Sequence, residues 1–281
     1  MIAVGVVGIS LSSIFVKLSS APSAVTALFR LVWTVILMTP SVFLKKEIRS
    51  ELFHVPKRSL IMSVLSGVFL AVHFALWFES LAHTSVASST TLVCTEVIWV
   101  SLGYCIFLKG RLSLKASVTI AVAFVGSTLI AFADSASGAH LYGDMLSLLS
   151  AVAVAVYMLF GNLVRKNTST SVYTYIVYIS CALSLGIICL VTRTAVTGYG
   201  IWAIIVGLLL AVFSTILGHS IFSWCLKYFS PSFVSASKLL EPVVAAIIAI
   251  PVFSEYPKPL TIVGGIIIIL SVWYYSTLEK S

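Results

Sequence analysis

Glu96, Lys238 and Glu241 are the residues in this sequence whose chemistry is hardest to explain by packing, because each lies inside a long apolar run. A charge near the centre of a bilayer costs roughly 2.5 to 3.5 kcal/mol on insertion scales, so an intramembrane ion has a partner or a purpose. Lys17, Arg30 and Glu79 complete a set of three cations and three anions, a balance that permits internal pairing. Lys17 and Glu79 fall near the ends of their runs, where reaching to the headgroups accounts for them. Glu96 and Glu241 fall about halfway along theirs. Two readings stand for that pair: a substrate or coupling-ion site, and structural ion pairs. Lys238 precedes Glu241 by three residues, which on one continuous helix places both on a single face and predicts a local salt bridge that substrate could compete for. A zwitterion such as an amino acid suits a site offering both signs, whereas proton coupling needs only a protonatable carboxylate. The sequence leaves both open.

Around these charges stand groups of weaker specificity. His73 and His219 occupy nearly equivalent places in the two halves of the chain, and histidine is the side chain most easily titrated near neutral pH. A helix-buried histidine hydrogen-bonded to a neighbouring backbone group explains them equally well. Trp77, four residues after His73, and Trp224, near His219, offer an aromatic wall for a solute, against the more frequent role of packing. Ser10, Ser13 and Lys17 recur at steps of three and four and form a polar stripe facing protein or water. Tyr157, Tyr175 and Tyr178 add hydroxyls to line the cavity or anchor at the interface. Serines at 85, 88 and 89 and at 232, 235 and 237 suit close helix packing as readily as a polar path. Pro242 removes a backbone donor directly after Glu241, predicting a bend that serves gating or is absorbed by packing.

The elements that position these residues follow from composition. Of 281 residues, 60% are hydrophobic and 9% charged, and apolar stretches of about 20 residues, long enough to span a bilayer, recur along the whole chain. The fold class expected is an all-α membrane protein. Helices are predicted at 1–18, 23–44, 59–81, 85–107, 113–133, 142–164, 171–192, 201–226, 231–253 and 259–277. Continuous apolar runs exclude β-barrel strands, which alternate. The first run lacks a basic leader and cleavage site, so it reads as a retained helix. The net charge of +8 invites a nucleic-acid reading, but the basic residues sit in loops. One side holds Lys45, Lys46, Arg49, Lys57, Arg58, Lys109, Arg111, Lys115, Arg165, Lys166, Lys227 and Lys280, the other Arg193 and Lys258, which places both termini in the cytoplasm. Five cysteines without CxxC spacing read as reduced, buried thiols and give neither a disulfide framework nor a metal site.

Laid over itself at an offset of about 145 residues, the sequence matches Leu81 with Leu226, Ser85 with Ser230 and Glu96 with Glu241. Five helices per half is odd, so the second copy enters the membrane inverted. Residues 1–135 and 141–281 are the two five-helix repeats of one integral membrane unit.

Phe29-Arg30, the HFALW and ESL segments at 73–81, TSVASS at 84–89, Gly143-Asp144, Gly218-His219 and Leu240-Glu241-Pro242 together resemble the EamA-like branch of the drug/metabolite transporter superfamily, over nearly the whole chain. The resemblance implies ten helices as two inverted repeats, a central cavity, alternating access, and proton-driven or exchange transport of metabolites such as amino acids across a bacterial-type inner membrane. A proline frequent near the middle of the family's fourth helix is Val97 here, directly after Glu96. Partners expected are a small-molecule substrate and membrane lipid, with no nucleic acid and no cofactor; a homodimer is left open. An intramembrane enzyme is the main alternative from another class, but HExxH and the P-loop are missing, and Gly218-His219-Ser220 lacks the closing glycine of a nucleophile elbow. A membrane sensor or scaffold and an ion channel are the remaining alternatives.

Overall fold

The computed structural model describes residues 1–84, 86–134, 141–253 and 259–279, with side chains left undescribed at a few further positions, Ser88 among them. Ser85, Lys258 and Lys280, used above, lie outside the described residues. Every regular element among the described residues is helical. In chain order they are α1 (Ile2–Lys17), α2 (Ser23–Leu44), α3 (Lys46–Phe53), α4 (Lys57–His83), α5 (Val86–Val93), α6 (Glu96–Phe107), α7 (Leu114–Asp134), α8 (Leu141–Arg165), α9 (Thr170–Val191), α10 (Gly200–Leu209), a π-helical segment (Leu210–His219), α11 (Ser220–Cys225), α12 (Pro231–Lys238), α13 (Glu241–Phe253) and α14 (Pro259–Glu279). Among the described residues six stretches are long and apolar enough to cross a bilayer: Ser23–Leu44, Lys57–His83, Leu141–Arg165, Thr170–Val191, Gly200–Cys225 and Pro231–Val252. Four shorter apolar helices are Ile2–Lys17, Glu96–Phe107, Leu114–Gly126 and Ile262–Tyr275.

Local chemistry sets several boundaries. Pro22 and Pro56 occupy the positions before α2 and α4, where extended backbone leads into a first turn whose N–H groups need no intrahelical partner. Ser169 and Ser230 accept from Val172 N and Phe233 N, capping α9 and α12, and Pro231 takes the first turn of α12. The charged helix α3 buries no residue and lies within the predicted 45–58 loop.

Polarity is inverted relative to a water-soluble protein. Ser10, Ser13, Arg30, Ser66, Ser147 and Ser214 are completely buried, while Ile36, Leu102, Val125, Ile187 and Ile266 are exposed on outer faces. Lipid solvates that outer surface, so the interior can keep polar groups that satisfy one another.

Helix α4 packs against α8 and α9; the 200–225 stretch packs against α1 and α2; α7 packs against α14. The two tightest backbone contacts are at Gly67 and Gly8. A Cβ on Gly8 would meet Phe213 O at 2.6 Å, and one on Gly67 would meet Val177 O at 2.4 Å. Gly67→Ala is therefore expected to separate α4 from α9 and cost about 1–3 kcal/mol, read as a lower melting temperature. Gly186→Ala, with nothing within 4 Å of the new methyl, is the matched control expected to melt within about 0.5 kcal/mol of the parent.

The structure corrects two predicted spans. The intervals 85–107 and 231–253 are not continuous helices: a turn at 94–95 separates α5 from α6, and one at 239–240 separates α12 from α13. Both tighten to i→i−3 hydrogen bonds, Thr95 N to Leu92 O at 3.1 Å and Leu239 N to Ala236 O at 3.1 Å. Pro242 is not the common cause, since the first break has Val97 at the corresponding place. There the Thr95 hydroxyl donates to Leu92 O at 2.7 Å, a side chain competing for a helix carbonyl.

Candidate functional site

Each break leaves its glutamate as the first residue of a half-helix, where outward-facing N–H groups favour negative charge. The two breaks meet. Lys238, the last residue of α12, places Nζ 2.9 Å from Glu96 Oε1 and donates to Oε2 at 3.2 Å. Cys94 Sγ reaches the Lys238 carbonyl at 3.9 Å, and Ser10 of α1 donates to the Glu241 carbonyl at 3.2 Å. The predicted Lys238–Glu241 pair is thus corrected: the lysine bonds across the molecule to Glu96, because the turn at 239–240 ends the helix on which the three-residue spacing rested. Among the described residues Glu241 makes no ion pair, although it is buried.

These groups line one cavity with His73, Trp77, His219 and Ser12, closed by Ile9, Val93 and Cys94. Its volume, about 20 Å³, is water-sized, so a metabolite enters only if the surrounding helices part. His73 is held from α8: its Nδ1 lies 2.8 Å from Ser150 Oγ, and Ser150 Oγ donates to the His73 carbonyl at 3.1 Å. That fixes the ring parallel to Trp77, with centroids 5.9 Å apart at 14°. Trp77 Nε1 is buried and has no hydrogen-bond acceptor among the described residues. Among the described residues no group of three or more His, Cys, Asp or Glu side chains is placed to hold a metal ion.

Arg30 stands one layer behind. It is fully buried, donates from Nε to Thr215 Oγ1 at 2.7 Å and from Nη1 to Ser12 Oγ at 3.1 Å, and lies 4.2 Å from the Phe74 ring centroid. Hydroxyls and a π face solvate this cation in place of a carboxylate. The π-helical segment supplies Thr215, whose hydroxyl donates to Leu210 O five residues back at 3.2 Å.

Of the sequence-derived candidates, the structure brings Glu96, Glu241, Lys238, His73, His219 and Trp77 to the cavity and sets Arg30 behind Ser12. Tyr157 sits behind His219, with ring centroids 6.3 Å apart, and its hydroxyl pairs with Ser223 Oγ at 2.7 Å. Tyr175 and Tyr178 pair with Thr39 and Ser220 and tie α9 to its neighbours. Trp224 is elsewhere: it is 36% exposed and packs tilted against Tyr228, with ring centroids 4.7 Å apart at 50°. Glu79 pairs with His83 at the exposed end of α4, and Lys17 is exposed in the last turn of α1. Arg165, read as a loop charge, is 1% exposed and donates to the Ser223 and Thr168 carbonyls. Cys105 departs from the buried-thiol expectation and is exposed. Ser12 and Cys94 are cavity residues that the sequence did not single out, because a serine or cysteine in an apolar run carries no signal of its own.

The sequence model of the EamA-like transporter family matches residues 141–277, from the start of α8 nearly to the end of α14. That part of the chain is similar to the EamA-like transporter family. The chain is 25% identical over 240 residues to an uncharacterized transporter of Archaeoglobus fulgidus, covering 82% of this chain and 78% of that protein. It is 26% identical over 226 residues to the uncharacterized transporter YyaM of Bacillus subtilis, covering 77% of this chain and 73% of that one. A solved crystal structure superposes on this chain with a TM-score of 0.78 at 13% identity, over 99% of this chain and 96% of that one, which is a likeness of fold.

Proposed function

We propose that this protein is a secondary transporter of small organic metabolites, amino acids or related compounds, moved by alternating access in exchange or with protons. It crosses the inner membrane ten times, as two inverted halves at 1–135 and 141–281, with both termini in the cytoplasm. The observation that carries the reading is the meeting of two broken helices at Glu96, Lys238 and Glu241. Broken helices placing charged groups and half-helix ends around one cavity are the arrangement in which transporters bind solute and coupling ion.

The packing supports the inverted halves. Exchanging each helix for its counterpart some 145 residues along turns the contact of α4 with α8 into that of the 200–225 stretch with α1, and turns α6 on α8 into α13 on α1. The contact of α7 with α14 maps onto itself, and Glu96 and Glu241 stand at equivalent breaks. Orientation rests on the loop charges, with Arg165 now serving a structural role as well.

The test is solute-induced thermal stabilisation of the purified protein across amino acids, amines, nucleosides and sugar phosphates, repeated with Glu241→Gln. A ligand present at 100 times its dissociation constant stabilises the folded state by about 2.7 kcal/mol. The expected result is a stabilising solute whose effect disappears in Glu241→Gln and which crosses the bilayer in proteoliposomes. A panel in which no solute stabilises or crosses would return the enzyme and scaffold readings.

A further inference from the structure

The transporter reading names a site without dividing its labour, and the repeat makes Glu96 and Glu241 look alike. Their surroundings are unlike. Glu96 is neutralised by Lys238 at 2.9 Å, so neither partner is open to a ligand while that pair stands. Glu241 is 7% exposed, lines the cavity and makes no ion pair among the described residues. Arg30 does not take that place: it bonds Thr215 and Ser12 and lies over the Phe74 face, and although its Nη2 has no hydrogen-bond partner among the described residues, it makes no ion pair with Glu241 there and does not line the cavity. Of the carboxylate and ammonium side chains on the cavity wall, Glu241 is therefore the one without a counter-ion among the described residues. Trp77 also lines the cavity, and its buried Nε1–H has no acceptor among the described residues.

The geometry points to a protonated amine as the group this cavity selects, with the ammonium on Glu241 and an acceptor atom of the same ligand on Trp77 Nε1–H. This rests on the transporter reading and sharpens its substrate class. A desolvated carboxylate attracts an ammonium strongly, and a neighbouring aromatic face adds to the attraction. A free carboxylate on the ligand is dispensable, because Lys238, the cation on the wall among the described residues, is already neutralised by Glu96. An amine lacking a carboxylate binds; a carboxylate lacking an amine finds Glu241 and no available counter-charge. Neutralising Glu96 reverses the second half of that statement, since it releases Lys238.

The experiment uses three matched probes on the full-length protein by calorimetric titration: 2-phenylethylamine, its N-acetyl derivative, and 3-phenylpropionate. The parent protein is expected to bind the amine and neither of the others. Glu241→Gln is expected to weaken amine binding roughly 10- to 100-fold, the range for a lost hydrogen bond to a charged group. Glu96→Gln is expected to retain the amine and gain 3-phenylpropionate. Glu241→Asp, which keeps the charge but withdraws it by one methylene, serves if Glu241→Gln does not fold, with weakened amine binding expected. Amine affinity unchanged in the Glu241 variants overturns the inference, as does a parent protein that binds the carboxylate or the N-acetyl derivative in preference to the amine, or none of the three. Preference for the carboxylate or the neutral probe, with flux in proteoliposomes intact, sinks the amine assignment and leaves the transporter standing; loss of all binding and all flux sinks both.

Discussion

Replacing Lys238 with Met is expected to lower the melting temperature of the purified protein by more than replacing Lys238 and Glu96 together. Breaking a buried pair by deleting one member strands the other as an uncompensated charge, at a cost of about 3–5 kcal/mol, whereas removing both often leaves stability little changed. Lys238 and Glu96 are 6% and 4% exposed, so solvent can do little to screen the stranded carboxylate. The comparison that decides is which second change rescues Lys238→Met. Glu96→Gln should restore most of the lost stability, because Glu96 holds the lysine at 2.9 Å. Glu241→Gln should not. Rescue by Glu241→Gln instead would mean that the resting partner is the neighbour three residues along, and the crossing of the two breaks would lose its role.

The second large effect is expected at Arg30. Arg30→Met fills much of the same space but removes the donors to Ser12 and Thr215 and the stacking on Phe74. Charged hydrogen bonds contribute about 1.5–3 kcal/mol each, and the relief of one buried cation offsets part of their loss. A net loss of about 2–4 kcal/mol in thermal unfolding is expected. Arg30→Lys should not recover it: an ammonium is a point donor, while the planar guanidinium spans Thr215 on one edge and Ser12 on the other. A lysine variant melting with the parent would show that charge alone matters at this position.

Much of the site was readable from rarity. In a chain with 9% charged residues, a glutamate or lysine amid apolar neighbours stands out, and Glu96, Glu241 and Lys238 all reach the cavity. His73 and Trp77 were readable because four residues on one continuous helix share a face. The same arithmetic failed where the helix was not continuous. Leu239 and Leu240 are apolar and look like any helix interior, so hydropathy carried the span through the turn and paired Lys238 with the wrong glutamate. No glycine or proline precedes Glu96 to announce the first break, whose signal is one threonine hydroxyl. Trp224 follows His219 by five residues, about 140° around an α-helix, and so leaves the cavity face. The π-helical stretch before His219 has no composition that distinguishes it from α-helix.

The ion pair across the two breaks also fixes an order of events in the making of the protein. Glu96 and Lys238 are separated by 142 residues of chain. Synthesis at roughly 5–20 residues per second means that about 7–28 s pass between the appearance of the acid and that of its partner. For that interval the nascent first half holds a carboxyl group in an apolar stretch with its counter-ion still untranslated. Until α12 arrives, a proton, water, lipid headgroups or the insertion machinery must stand in for the lysine.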